Sequence, residues 1–210
     1  MDSAQPPTAA SVFDALGTDY ERAFGESAAH RASLELLLER LAPGSRVLDV
    51  GSGTGRPTAR TLADAGHEVL GVDVSPVMVD IASRQVPGAE FRCADVRDVP
   101  LGDGSFDAVC VYFSLLQLSR AEQTDVLRLA ARVLRPGGHL AVATVPLDVE
   151  GVNGTFMDQP VRVTSFGEDD FTALVAAIGF TVLQRQSILF TPDHPVAVPE
   201  PHLFLLARRT

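Results

Sequence analysis

The stretch VLDVGSGTG at residues 47–55 decides the fold of this chain of 210 residues. Its apolar beginning indicates a strand, which runs directly into alternating glycines and then into a helical pattern. Glycine lets the backbone approach a ligand closely and adopt a positive φ, and a helix N-terminus offers free N–H groups. The stretch therefore predicts a loop that binds a nucleotide-like cofactor.

The spacing of the glycines separates the classes of nucleotide-binding protein. A dinucleotide fingerprint needs glycine at positions 51, 53 and 56, but residue 56 is Arg56 and the third glycine is Gly55. No Gly-Lys-Ser/Thr follows, so a phosphate-binding P-loop is excluded. Asp73 ends the next predicted strand, 22 residues after Gly51, where an acid accepts hydrogen bonds from ribose hydroxyls. The spacing disfavours a nicotinamide-dependent oxidoreductase.

Strand and helix patterns alternate from residue 46 to residue 144. A Ser75–Pro76 pair and a capping box from Ser119 to Glu122 mark the starts of two helices. Strands are predicted at 46–50, 68–72, 90–93, 106–113 and 140–144, and helices at 56–65, 75–85 and 119–134. Because strands joined by helices form parallel βαβ units, this alternation predicts a mostly parallel sheet.

The flanking segments complete the fold class. Residues 11–41 show a helical pattern broken near Gly25, residues 146–166 show no regular pattern, and residues 168–177 indicate a helix. Two strands, 180–190 and 202–208, follow without a helix between them and are expected to pair antiparallel. We predict an α/β, Rossmann-like three-layer sandwich, with a mostly parallel seven-stranded sheet and an antiparallel C-terminal strand.

Composition excludes several classes of function. The net charge of −10 comes from 17 basic residues against 27 acidic ones, and it disfavours binding to nucleic acid. The chain has no run of about 18 apolar residues to span a membrane, and residues 1–10 lack a secretory signal, so we expect a cytoplasmic protein. Cys93 and Cys110 lie in apolar runs without metal-ligand spacing, so buried free thiols and no metal are expected.

The ordered set of motifs resembles the class I S-adenosylmethionine-dependent methyltransferases of the small-molecule type. Residues 47–55 are similar to the first motif of that family, 69–75 (VLGVDVS) to its second, and 91–111 to its third and fourth. Residues 133–144 (VLRPGGHLAVAT) resemble the strand-five motif. The resemblance extends from Leu36 onward and implies two units, a helical lid at 1–41 and a cofactor-binding methyltransferase domain at 42–210.

That resemblance implies which positions hold S-adenosylmethionine. They fall at the carboxyl ends of the predicted strands and are Asp49, Gly51, Ser52, Gly53, Asp73, Val74, Met78, Asp95, Val96, Tyr112 and Phe113. The first-motif positions would face the methionine part of the cofactor, and Asp73 would hold the ribose. Val74 and Met78 would lie against adenine, and Asp95, with Val96 beside it, would accept a hydrogen bond from the adenine amino group. The two strand-four aromatics would lie near the sulfonium.

Each implied role has a structural alternative. Asp49 could cap the loop, Asp73 could cap the helix that follows Ser75, and Asp95 could be a loop acid. Met78 could belong to the core, and the aromatic pair at 112–113 could be ordinary strand residues.

No catalytic residue is identified. Gln117 stands near the position where many small-molecule relatives carry histidine, and glutamine cannot act as a base; it could bind an acceptor oxygen or begin a helix. Tyr20 and His30 are weak candidates from the helices that form a lid in similar enzymes. His194 and His202 belong to the last hairpin and its loop, where structural roles are favoured over a base.

The resemblance implies methyl transfer from S-adenosylmethionine to a small organic acceptor, with S-adenosylhomocysteine as product. Holding the two reactants in line is expected to account for the rate enhancement of the transfer. Oxygen is the default acceptor atom, followed by nitrogen and carbon. An acceptor-recognition segment is expected at about 146–166, where the apolar side chains are Phe156, Met157, Val161, Val163 and Phe166. The alternative is a protein that binds the cofactor without methyl transfer, as a cyclase, isomerase or regulatory subunit. Monomer and homodimer both stay open.

Overall fold

A seven-stranded sheet forms the middle layer of the protein. A computed structural model describes residues 7–25, 27–195 and 197–210. The strands of the sheet are β1 (Arg46–Val50), β2 (Glu68–Asp73), β3 (Glu90–Cys93), β4 (Phe106–Tyr112), β5 (Leu134–Thr144), β8 (Phe180–Phe190) and β9 (Glu200–Arg209). Their order is β3-β2-β1-β4-β5-β9-β8, and β9 runs antiparallel to both of its neighbours. The predicted fold class, including the antiparallel C-terminal strand, is confirmed.

Helices cover both faces of the sheet. They are α1 (Ala9–Leu16), α2 (Thr18–Phe24), α3 (Ala28–Leu38), α4 (Thr58–Asp64), α5 (Pro76–Gln85), α6 (Arg120–Val133) and α7 (Glu168–Ala177). Alternate residues of β4 point to opposite sides: Val109 packs in the core under α6 and α7, whereas Ala108 packs in the core under α3 and α4. This burial on both faces explains the continuous apolar runs of the central strands. Within the described ranges, no helix is long and apolar enough to cross a membrane.

Some predicted boundaries are wrong. The N-terminal helical pattern breaks at Gly17, where φ is +49°, as well as at Gly25. Strand β5 begins at Leu134, six residues earlier than predicted, because Leu134 already pairs with Phe106 and a register shift accommodates the Pro-Gly-Gly that follows. Cys110 is buried as expected, but Cys93 is exposed because β3 is a thinly covered edge strand.

The prediction that residues 146–166 are irregular is wrong. This segment contains an antiparallel hairpin of β6 (Val149–Phe156) and β7 (Gln159–Ser165). Met157 and Asp158 form its turn with φ of +47° and +63°. Two-residue hairpin turns need such positive φ values, and glycine or asparagine usually occupies these positions. The sequence Met-Asp gave no such signal, which is why the hairpin was missed.

Hydrogen bonds fix this hairpin over the carboxyl ends of the parallel strands. The Thr164 N–H donates to the Leu116 carbonyl at 2.8 Å. The buried Gln123 amide on α6 donates to the carbonyls of Thr164, at 2.9 Å, and Leu118, at 3.1 Å. The hairpin is thereby attached to the loop that follows β4.

The first two helices lie against the hairpin and α5. Val12 and Leu16 of α1 pack with Val161 of β7 in a small separate core. The Asp14 carboxylate accepts hydrogen bonds from the Ser75 hydroxyl, at 2.6 Å, and the Val77 N–H, at 3.3 Å. Residues 1–6 and position 26 of the expected lid lie outside the described residues.

Gln123→Ala should lower the free energy of unfolding by about 1–3 kcal/mol, because two buried carbonyls lose their donor. Urea denaturation measures this difference. Arg128→Ala on the exposed face of the same helix is the matched control and should change stability by less than about 0.5 kcal/mol. Equal stability of the two variants would contradict the anchoring role of Gln123.

Candidate functional site

A cleft of about 120 Å³ lies at the carboxyl ends of the parallel strands. Eight of the predicted cofactor positions line it: Gly51, Gly53, Asp73, Val74, Asp95, Val96, Tyr112 and Phe113. Asp49 and Ser52 instead line an adjoining recess of about 50 Å³, which shares both glycines and both aromatic residues with the cleft. Met78 is fully buried and lines neither space. The structure therefore brings together ten of the eleven positions that the sequence singled out.

Two glycines shape the loop between β1 and α4. At Gly51 φ is +69°, and a Cβ there would lie 2.2 Å from the Ser114 Cβ. At Gly53 φ is +52°, and a Cβ would meet no protein atom within 4 Å. Gly51 therefore permits close contact between two loops, whereas the open space at Gly53 can admit a ligand.

Asp73 connects the glycine loop to the next helix. One carboxylate oxygen accepts the Gly53 N–H at 2.8 Å and the other accepts the Ser75 N–H at 2.9 Å. Ser75 in turn caps α5 through the Met78 N–H, at 3.0 Å. Burial raises the pKa of Asp73 against these hydrogen bonds. The helix cap is therefore Ser75 and not Asp73, which supports the cap from a position that also lines the cleft.

The recess contains buried polar groups without partners. Among the described residues, one Asp49 carboxylate oxygen and the hydroxyls of Ser52 and Thr54 make no hydrogen bond. Burial, and secondarily Asp73, raise the pKa of Asp49 to about 8. Such orphaned groups carry a desolvation cost that a polar ligand would relieve. An amino group for the carboxylate and a carboxylate for the hydroxyls fit this recess, and the methionine part of S-adenosylmethionine carries both.

Asp95 also lines the cleft, where Arg97 holds its carboxylate. The guanidinium contacts its carboxylate at 2.6 Å, and the Arg97 N–H donates to it at 2.9 Å. The hydrogen bonds from Arg97 lower the pKa of Asp95. The carboxylate is therefore ionised and oriented, as a hydrogen-bond acceptor for a ligand amino group would be.

A second cavity, of about 220 Å³, adjoins the cleft and is called the acceptor cavity below. Its lining comes from α1, α2, the loop after β4, the segment after β5, the hairpin and the start of β9. The residues are Ala9, Phe13, Tyr20, Phe24, Phe113, Ser114, Leu116, Gln117, Val145, Leu147, Gly154, Thr155, Phe156, Val161, Val163 and Glu200. Cleft and acceptor cavity share Tyr20, Phe113, Ser114 and Gln117 among other side chains. These side chains, called the shared wall below, border both spaces, which are therefore adjacent.

Three of the five apolar residues expected to line an acceptor pocket, Phe156, Val161 and Val163, line this cavity. Val161 and Val163 are two residues apart on β7, so their side chains lie on the same face of the strand. Both belong to one small apolar cluster with Phe156 of β6. Met157, in the hairpin turn, packs in the small core beside α1. Phe166 lies in the main core instead, with the Arg120 guanidinium 4.9 Å from its ring centroid.

The three catalytic candidates differ in what they can do. Burial, Glu200 and Asp73 raise the pKa of Tyr20, so its hydroxyl stays neutral and can donate a hydrogen bond but not act as a base. His30 bonds to Thr58 at 3.1 Å, and burial is the main cause that lowers its pKa to about 3, which makes it a poor base. Gln117 lines both the cleft and the acceptor cavity.

Sequence reasoning missed several lining residues. Phe13 and Phe24 were not singled out, and they line the cavity beside the candidate Tyr20. The break at Gly17 places Phe13 on α1 and the other two on α2, so no single helical face linked them in the sequence. The rings of Tyr20 and Phe24 stack at 5.1 Å, and Phe24 stacks on Phe156 at 5.7 Å. No local sequence pattern indicated that Glu200 lines the cavity, because its place at this end of the sheet depends on the antiparallel direction of β9. Across the described part of the chain, no three His, Cys, Asp or Glu residues come together as metal ligands.

Comparison with known proteins gives the family context. A family profile described as "Methyltransferase domain" matches residues 47–138. A demethylmenaquinone methyltransferase of Clavibacter sepedonicus is 32% identical over 182 residues, covering 83% of this chain and 68% of the relative. Another, from Beutenbergia cavernae, is 44% identical over 113 residues, covering 54% of this chain and 45% of the relative. The match to the latter thus spans less than half of its length.

A solved structure is similar over the whole chain. It is the 1,6-didemethyltoxoflavin-N1-methyltransferase of Burkholderia thailandensis, with bound 1,6-didemethyltoxoflavin and S-adenosylhomocysteine. The TM-score is 0.72 at 25% identity, and the alignment covers 100% of this chain and 98% of the other.

The buried Asp49 predicts a pH-dependent stability. Its usual pKa is 3.8 and its folded pKa about 8, so between these values the folded state keeps a proton that the unfolded state has lost. The contribution of this group to the free energy of unfolding therefore falls as pH rises through that window. Asp49→Asn should remove this decline, as urea denaturation from pH 5 to pH 8 measures. The exposed Asp80→Asn control should keep the wild-type slope, and a wild-type slope in Asp49→Asn would refute the assignment.

Proposed function

Since this chain belongs to the class I S-adenosylmethionine-dependent methyltransferases, we propose that it transfers a methyl group from S-adenosylmethionine to a small organic acceptor. Oxygen is the favoured acceptor atom, followed by nitrogen and carbon. The observation that carries the proposal is the shared wall: the cleft that suits the cofactor and the apolar acceptor cavity meet at Phe113, Ser114 and Gln117. Two reactants bound in these adjoining spaces would meet beside those side chains.

Residues of the cleft and of the adjoining recess would hold different parts of the cofactor. Asp49 would bind the amino group of the methionine part, and the hydroxyls of Ser52 and Thr54 its carboxylate, which relieves their unpaired burial. Asp73 would bind the ribose hydroxyls while it fixes the Gly53 N–H. Asp95 would accept the adenine amino group. S-adenosylmethionine supplies a methyl group on a sulfonium, which needs no activation by the protein.

The chain's own contribution to the rate is positioning and exclusion of water. Holding two reactants in line can supply about 7–11 kcal/mol of the barrier. Helices α1 and α2 within residues 1–41 would act as a lid, because Phe13 and Tyr20 line both the cleft and the acceptor cavity. Two hydrogen bonds would hold the lid against α5. The Ser75 hydroxyl donates to the Asp14 carboxylate at 2.6 Å, and the Gln85 amide donates to the Glu21 carboxylate at 3.0 Å.

The lining of the acceptor cavity favours a largely apolar acceptor that carries a ring. Phe24, Phe113 and Phe156 are aromatic, and Ser114 and Gln117 place polar groups at the shared wall. The names of two relatives refer to demethylmenaquinone and to 1,6-didemethyltoxoflavin, which are small organic molecules, and this supports the same class of acceptor here. A cavity of about 220 Å³ under a short hairpin leaves no room for a folded protein.

Two measurements test the proposal. Calorimetric titration with S-adenosylmethionine, S-adenosylhomocysteine and NADH should show binding of the first two alone. Tritium from labelled S-adenosylmethionine should then appear in an organic extract when hydroxynaphthalenes are supplied as acceptors. Binding of the cofactor without label transfer to any acceptor would favour the alternative of a non-transferring protein, and binding of NADH would refute the cofactor assignment.

Asp73→Ala should weaken S-adenosylhomocysteine binding about 10- to 100-fold, since a hydrogen bond to a charged group contributes about 1.5–3 kcal/mol. Calorimetry of the purified variant measures the dissociation constant. Asp80→Ala, on the exposed face of α5, removes the same charge as a control and should bind like the wild type. Unchanged affinity in Asp73→Ala would remove that residue from the site.

Gly154→Phe should block the acceptor cavity without disturbing the cleft. Gly154 lines the cavity, and a Cβ there would meet no atom within 4 Å, so the ring can enter the empty space. Label transfer should fall at least about tenfold, which corresponds to a loss of about 1.4 kcal/mol of acceptor binding free energy. Binding of S-adenosylhomocysteine should stay unchanged. Asn153→Phe, on the exposed neighbouring position, is the control; equal transfer by both variants would place the acceptor elsewhere.

A further inference from the structure

Glu200 supplies the one carboxylate among the described residues that line the acceptor cavity. Strand β9 runs antiparallel to β5, and Leu203 pairs with Thr144 at the carboxyl end of β5. Residues 200–202 therefore extend past the end of β5, paired only with β8, at the same edge where the parallel strands end. The topology places Glu200, from the last strand of the chain, beside the wall formed by the loop after β4.

His202 holds this carboxylate in place. Its Nε2 lies 2.8 Å from the Glu200 Oε1, and because a carboxylate oxygen accepts, the imidazole nitrogen donates. The side chain of His202 is 1% exposed, and its ring lies 4.5 Å from the ring of Phe113 and 5.0 Å from that of Phe190. An imidazole packed in this way cannot turn, so the carboxylate that it binds is oriented as well.

The other Glu200 oxygen makes no contact with His202. The side chain is 27% exposed, and it lines the cavity together with Tyr20, whose pKa it raises. A carboxylate in an otherwise apolar space is costly unless it meets a hydrogen-bond donor. A neutral molecule with a weakly acidic O–H would supply such a donor.

We propose, resting on the function proposed above, that Glu200 is the general base for a phenolic or enolic acceptor and that His202 is its positioning residue. The acceptor O–H bond breaks, and its proton passes to the Glu200 carboxylate while the acceptor oxygen forms the new bond to the methyl carbon. The electron pair of the broken methyl–sulfur bond stays on sulfur, which leaves neutral S-adenosylhomocysteine. A positioned base of this kind contributes about 10²- to 10⁴-fold to the rate.

The test uses 4-nitrophenol as the probe, because its neutral and ionised forms absorb differently. Protein saturated with S-adenosylhomocysteine is titrated with the probe near the probe's solution pKa, and the ratio of bound phenolate to bound phenol is read from the spectrum. Wild-type Glu200 should favour the neutral phenol, which can donate to it. In Glu200→Gln the ratio should rise about tenfold or more, since a nearby like charge shifts an ionisation constant by about 10- to 1,000-fold.

Glu150→Gln is the matched control, because it makes the same charge change at an exposed position of the hairpin that does not line the cavity. It should keep the wild-type ratio. Equal ratios in the wild type, Glu200→Gln and Glu150→Gln would overturn the proposal, as would failure of the wild type to bind 4-nitrophenol.

Two substitutions separate positioning from packing at His202. His202→Gln keeps an N–H donor for Glu200 and should retain the wild-type ratio, whereas His202→Leu removes the donor and should move the ratio toward that of Glu200→Gln. Identical ratios in the two variants would overturn the positioning role.

The same titrations distinguish this inference from the function on which it rests. Binding of S-adenosylhomocysteine with an unchanged phenolate ratio overturns the role of Glu200 alone. Absence of S-adenosylhomocysteine binding in the wild type overturns the methyltransferase proposal, and the assignment of Glu200 with it.

Discussion

The close approach of Gly51 to Ser114 is the constraint on which the rest of the site depends. The Ser114 hydroxyl donates to the Val50 carbonyl at 2.8 Å, in the space that any side chain at position 51 would fill. This contact joins the glycine loop after β1 to the loop after β4. The second loop carries Gln117 and receives the hairpin through Leu116, so the geometry of the proposed acceptor cavity follows from that of the proposed cofactor cleft.

The sequence predicts the sheet and the cleft well because both depend on local signals. Glycine spacing, the Ser75 and Ser119 caps and alternating apolar runs each specify a short segment, and the parallel topology follows from their order. The carboxyl ends of parallel strands meet at one edge, so Asp49, Asp73 and Asp95 could be brought together without any knowledge of packing.

The acceptor side depends on contacts between distant segments, and sequence reasoning fails there in identifiable ways. The turn at Met157 lacks glycine, so the hairpin went unrecognised, and Phe166 faces the core because β7 has already ended at Ser165. Met78, implied to support adenine, is fully buried. Glu200 enters the cavity only because β9 reverses direction, which no local pattern specifies.

The central claim is that a cofactor in the cleft and an acceptor in the apolar cavity meet at the shared wall. A crystal structure with S-adenosylhomocysteine tests it most directly. The account predicts that the ligand's amino group bonds to the orphaned oxygen of Asp49, that its adenine lies beside Asp95, and that its sulfur faces Phe113 and the cavity. A ligand whose sulfur points away from that wall, or an Asp49 that remains unpaired, would contradict it.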